Sequence, residues 1–166
     1  MDTKTVQTFL AFSHFLGVGP FKFKKLMEHF RSVQKAYYGN KKELTQILGP
    51  KITEEFVEFR NNFDPEKKLN EISKKGISVI PLSSKSCPCS LPRISDPPIC
   101  IYLIGDKSIF ENDNSKLFIS VVGTRAPSLY GQSVAYEFSK IMGESGIIVV
   151  SGLAYGIDAM AHKGAL

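Results

Sequence analysis

Two glycine turns hold the residues of this 166-residue chain whose types and spacing best suit chemistry. The first, Gly123-Thr124-Arg125, follows the apolar run Phe118 to Val122, and Tyr130-Gly131 opens a helical pattern a few residues later. Backbone N–H groups beside a helix N-terminus attract anions, the hydroxyls of Thr124 and Ser128 add donors, and the Arg125 guanidinium can fork onto phosphate oxygens. The second turn runs from Ser151 and Gly152 to Gly156 and Asp158 behind the run Ile147 to Val150. Its glycines let a ligand approach the backbone closely, and Ser151 supplies a further hydroxyl. Arg125 is the leading candidate for binding, against the alternative of a surface arginine paired with Asp158 or Glu137. The dinucleotide fingerprint G-x-G-x-x-G is missing, Ser151 stands where its acidic residue would end the second strand, and no P-loop lysine follows.

Asp158 and His162 lie four apart, on one face of a helix, a spacing open to acid–base work or to two metal ligands. With no third ligand or activated nucleophile beside them, the expectation is an orienting Asp158–His162 hydrogen bond under the loop; a second role for Asp158 would be to hold Arg125. No metal and no cofactor is expected. Tyr130 and Tyr155 are candidates either for stacking on bases or for covering the sheet edge.

The elements that must position these turns follow from periodicity. Phe118 to Val122 and Ile147 to Val150 read as strands, and Tyr136, Phe138, Ile141 and Met142 fall at helical spacing between them, with Gly143 and Gly146 as stops. The unit is therefore β-turn-α-β-turn-α. Parallel strands joined by a right-handed crossover put both turns and both helix N-termini on one sheet edge, where open α/β sheets bind ligands.

Upstream, residues 4 to 63 read as short helices, with Val6, Phe9 and Leu10, then Phe23, Leu26, Met27 and Phe30, then Ile52, Phe56 and Val57 on their inner faces. Asp64-Pro65 is a helix start and Gly76 a stop. Short strands are expected at Ile77 to Ile80 and Cys100 to Ile104, separated by a segment, 81 to 98, rich in proline and serine. The domain boundary is placed accordingly: a small all-α domain over residues 1–75 and an α/β domain over 76–166.

The joint Leu16-Gly17-Val18-Gly19-Pro20 resembles the helix-hairpin-helix motif of DNA-binding proteins that do not read sequence. Gly17 and Gly19 permit the tight turn, Pro20 suits the first helical position, and Lys22, Lys24 and Lys25 follow at once. DNA contact and plain helix packing both fit this joint; at Leu48-Gly49-Pro50-Lys51, which lacks the first glycine, packing fits better.

The net charge of +5 is uneven, with 14 Lys+Arg against 9 Asp+Glu in residues 1 to 75 and 7 against 7 thereafter. The excess suits a polyanionic partner, or else a solvated lysine-rich face. Nothing approaches an apolar span of about 18 residues, and the N-terminus lacks the order of a signal peptide, so a cytoplasmic protein is expected. Cys87, Cys89 and Cys100 form neither a disulfide framework nor a four-ligand zinc set, and Cys87-Pro88-Cys89 is not the spacing of dithiol oxidoreductases. Reduced thiols are the expected state.

The set Val122-Gly123-Thr124-Arg125, Tyr130-Gly131, Ser151-Gly152-Leu153-Ala154, Gly156-Ile157-Asp158, Ala161-His162 and Gly164-Ala165-Leu166 resembles the DNA-processing protein family DprA, also called Smf. Cys87 to Leu91, Ile94 to Pro98 and Leu103 to Asp106 resemble that family's approach to its main domain, with Cys87 where a tyrosine is usual. The resemblance implies a sterile-alpha-motif or helix-hairpin-helix-like domain followed by a Rossmann-like domain that binds single-stranded DNA. It implies a binding protein rather than an enzyme, which protects single strands during natural transformation and loads a RecA-type recombinase, as a homodimer in full-length members. It places the arginine of the G-[ST]-R turn, here Arg125, on a DNA phosphate. Family members continue beyond the position of Leu166, so the sheet is expected to be incomplete here, dimerisation doubtful and single-strand binding weak. The residues themselves leave open a nucleotide-binding or nucleotide-cleaving domain of the same superfamily.

Overall fold

The computed structural model describes residues 1–110 and 115–166. Among them the chain is mixed α/β and forms two compact units, Met1–Glu111 and Asn112–Leu166.

In the first unit, α1 (Thr3–His14), α2 (Pro20–Phe30), α3 (Val33–Tyr37), α4 (Lys41–Leu48), α5 (Pro50–Asn62) and α6 (Pro65–Lys74) follow one another through short joints. Each start has a local cause. Asp2, Ser32, Asn40 and Asp64 accept a hydrogen bond from the N–H three residues on, while α2 and α5 begin with Gly-Pro and no side-chain cap. Gly49 both ends α4 and starts α5 at φ +82°, which glycine adopts without a Cβ clash.

The inner faces meet in an aromatic core. Phe12 stacks on Phe56 at 5.2 Å between ring centroids, and Phe23 and Tyr37 meet Phe12 edge-on. Ala11, Leu26, Ala36 and Leu44 are fully buried beside them. Burial pushes the Tyr37 phenol up to about 12. Arg60 donates to the carbonyls of Tyr37 (2.6 Å) and Gly39 (3.2 Å), tying α5 to the end of α3.

Strands β1 (Ile77–Pro81) and β2 (Cys100–Ile104) pair antiparallel, with Ile77 opposite Ile104 and Pro81 opposite Cys100. These two strands form a ladder of their own, separate from the strands that precede the glycine turns. Parallel neighbours need a long crossover, usually helical, whereas here the intervening segment holds only a 3-10 turn at Leu91–Arg93 and brings the chain back beside β1. The ladder belongs with the helices: the Tyr102 and Ser13 hydroxyls are 2.7 Å apart, joining β2 to α1, and Ile99 is part of the aromatic core. The first compact unit accordingly takes in the helices and this ladder together.

In the second unit, β3 (Phe118–Ser120) and β4 (Ile148–Val150) pair in parallel, Phe118 opposite Ile148 and Ser120 opposite Val150. Helix α7 (Leu129–Glu144) joins them, and α8 (Ile157–Ala165) follows β4. The predicted β-turn-α-β-turn-α order is therefore present, with strands slightly shorter than expected. The two helices touch through small residues. Ala135, Ser139 and Ala161 are buried, and a Cβ on Gly164 would run into the Tyr136 carbonyl while one on Gly143 would lie 2.8 Å from the Ala165 carbonyl oxygen. Backbones this close exclude side chains at both glycines. Among the described residues no helix is long and apolar enough to cross a membrane.

Candidate functional site

Parallel pairing of β3 and β4 sends both following turns to the same end of the ladder. The ladder continues one step past β3, where the Val121 N–H donates to the Val150 carbonyl at 3.0 Å. There the turns join. Ser151 Oγ donates to the Val121 carbonyl at 2.7 Å, and the Ile157 N–H donates to the Thr124 carbonyl at 3.2 Å. A Cβ on Gly123 would lie 2.7 Å from Ile157 Cγ1, so α8 starts directly against the first turn. Gly156, at φ +84°, sits so near that a Cβ there would strike the Thr124 carbonyl and lie 2.8 Å from Arg125 Cα.

The hydroxyls and amides expected at a ligand are partly committed to building the turns. Ser128 caps α7, its Oγ accepting from the Gly131 N–H at 3.1 Å. Thr124 Oγ1 accepts from the Ala126 N–H at 3.2 Å. The Gly152 N–H donates to Asp158 Oδ2 at 3.1 Å. Asp158, almost fully buried, therefore secures the second turn. This corrects two expectations, since Asp158 bonds neither His162 nor Arg125, and His162 Nε2 is buried with no hydrogen-bond partner among the described residues. The physical reason is proximity: the Gly152 amide lies within hydrogen-bond reach of a carboxylate that is nearly buried and needs a donor.

Arg125 remains exposed, and no hydrogen bond or ion pair engages its guanidinium among the described residues. The surface pairing with Asp158 or Glu137 is not made. With Leu153, Ala154, Tyr155 and Ala159, Arg125 lines a hollow of about 390 Å³. Leu153 there is 81% exposed and left-handed, at φ +55°. Tyr130 and Tyr155 are likewise strongly exposed, so neither ring covers the sheet. Helix α8 starts without a side-chain cap, its Ile157 N–H is taken by the Thr124 carbonyl, and Asp158 sets a carboxylate in its first turn. Leu153 and Ala159 were not legible as site residues, because an apolar type gives no hint that a turn holds it outward.

Substituting Ser151 by alanine removes the hydroxyl that joins the turns. The expected cost is about 0.5–1.5 kcal/mol in urea unfolding of the chain, as for one intramolecular hydrogen bond.

In the first unit the three lysines have different surroundings. Lys22 Nζ donates to the Gly17 carbonyl at 3.3 Å, Lys25 lies over the Phe21 ring at 4.6 Å, and Lys24 faces a groove on the bundle. Gly17 is pressed against the Phe15 ring, and Gly19, the residue before Pro20, has open space where a Cβ would stand. The joint is thus a packed turn in which Lys22 folds back on the backbone.

Comparison with known proteins gives this geometry a lineage. Protein Smf of Synechocystis is 33% identical over 159 residues, which is 95% of this chain and 40% of that protein. The DNA processing protein DprA of Bacillus subtilis is 39% identical over 93 residues, 56% of this chain and 30% of that one. The X-ray structure of DprA from Streptococcus pneumoniae superposes with a TM-score of 0.67 at 23% identity, covering 95% of this chain and 51% of that one, and so shares its fold. The chain thus spans about half or less of the length of these relatives. The family model described as DNA recombination-mediator protein A matches residues 78–166, which include both strand-end turns, Arg125 and the helix contact behind them, and the chain belongs to that family.

Proposed function

We propose that this chain binds single-stranded DNA at the joined turns of its second unit and serves as a recombination mediator. The observation that carries the reading is Arg125, exposed and without a protein partner among the described residues, at the rim of a hollow built by two interlocked backbone turns. A guanidinium in that position forks onto a phosphate. Tyr130 and Tyr155, both exposed, offer faces on which bases stack without regard to sequence. The family membership and the positive balance of residues 1 to 75 support the same reading.

The larger picture proposed is a cytoplasmic binding protein rather than an enzyme, with a sterile-alpha-motif or helix-hairpin-helix-like first domain and a Rossmann-like second one. It protects incoming strands during natural transformation, loads a RecA-type recombinase, and in full-length form acts as a homodimer. The test is a salt and length series with poly-dT. Affinity should rise with oligonucleotide length and fall as salt increases, with a log–log slope of roughly 0.7 per phosphate neutralised. Tight binding of a free mononucleotide with no dependence on polymer length would instead make this a nucleotide-binding or nucleotide-cleaving domain.

A further inference from the structure

Away from the turns, the first unit carries a groove of about 720 Å³ between the helices α1 to α3 and the proline-rich segment after β1. That volume falls within the roughly 300–1,000 Å³ of ligand-sized cavities. Phe9 and Phe23 belong to its lining and Met27 and Val33 extend it, while Leu82 and Ile94 face them from the segment. Among the described residues Lys24 is the single charged group in the lining, and no carboxylate stands there. No hydrogen bond or ion pair engages the Lys24 ammonium among the described residues. Gln34, also in the lining, donates from Nε2 to Thr5 Oγ1 at 2.9 Å, which leaves its second N–H and its carbonyl oxygen, one donor and one acceptor.

An apolar trough with one unpaired cation and one amide that offers both a donor and an acceptor is complementary to an apolar body that carries an anion and a peptide group. We propose that this groove binds the carboxyl-terminal end of a partner polypeptide. Apolar side chains of the peptide lie along the trough, its terminal carboxylate meets Lys24, and a backbone N–H reaches Gln34 Oε1. Nucleic acid is the poorer fit. Phe9 and Phe23 are only 6% and 7% exposed, so the groove lacks the open aromatic faces on which bases stack, and one lysine does not track a phosphate backbone. Met27 suits such a role, since its flexible thioether side chain adapts to differing apolar partners.

The test selects ligands for the full chain from a random octapeptide library displayed with free carboxyl ends. Selected peptides are then measured by fluorescence polarisation. The expected result is enrichment of apolar residues at the final positions and loss of binding when the terminal carboxylate is amidated. Lys24→Glu should weaken binding at least tenfold, and Ile94→Arg, on the half-exposed opposite wall, should also weaken it, both in chains with unchanged circular dichroism. Lys25→Glu, outside the groove, should leave it unchanged. No enrichment, equal binding by the Lys24→Glu and wild-type chains, or displacement of the peptide by dT20 overturns the proposal. The Arg125→Ala chain should bind the peptides normally, so failure here and failure of the DNA reading are separable.

Discussion

Replacing Arg125 by alanine should weaken single-strand binding by about 10- to 150-fold, the loss of a charge-assisted hydrogen bond worth about 1.5–3 kcal/mol. The structure sharpens this beyond a generic basic residue. The guanidinium engages no protein group among the described residues, so its removal leaves no buried partner unsatisfied and should leave the thermal midpoint where it was. Arg125→Lys keeps the charge but loses the planar fork, and should fall between wild type and alanine. In a salt series the alanine chain should also show a slope smaller by roughly 0.7, the signature of one phosphate that the protein no longer neutralises. An unchanged dissociation constant and slope in the folded variant would remove Arg125 from the site.

Gly156→Ala should be more damaging, and by a different route. Gly156 combines φ +84° with ψ −126°, a conformation open to glycine alone, and its missing Cβ leaves room for the Thr124 carbonyl and the Arg125 backbone. A methyl group must move the first turn or the start of α8. Backbone strain and overpacking together are expected to cost about 2–5 kcal/mol, read as a lower urea midpoint for the chain. Because the displaced backbone is that of Arg125, DNA affinity should drop at least as far as in Arg125→Ala. Gly19→Ala is the internal control: its φ is −77° and no atom lies within 4 Å of the added methyl, so both stability and binding should stay close to wild type. If Gly156→Ala behaved like Gly19→Ala, the interlocking of the turns would not be what shapes the site.

What the sequence revealed and what it hid divide along a physical line. Strand ends, glycine breaks and helix starts are local, and Asp64-Pro65 ahead of α6 can be read from a few neighbours. Pairing is not local. Nothing near residues 77 to 81 states that they meet Cys100 to Ile104 antiparallel, or that Tyr102 reaches Ser13, and so the compact unit runs well past the end of the helices. Within the site, residue types pointed to Arg125 and the two turns, but type alone does not distinguish a hydroxyl that contacts a ligand from one that holds a loop. Ser128 and Ser151 both do the latter. Helical spacing paired Asp158 with His162, yet its partner is an amide six residues earlier, a pairing set by the turn's conformation.

The packing of Gly143 and Gly164 has a consequence at the opposite end of the helix pair. Helices α7 and α8 run side by side in the same direction, with Ile157 against Gly123 and Gly131 at their starts and Gly164 against the Tyr136 and Lys140 backbone towards their ends. With main chain resting on main chain, there are no long side chains at that point to flex or repack. The gap between the two loops is thereby gauged from behind, and a strand of DNA would find it already set to width. If the chain binds single strands as proposed, little ordering of the turns is left to be done on binding, which lowers the entropic cost of association.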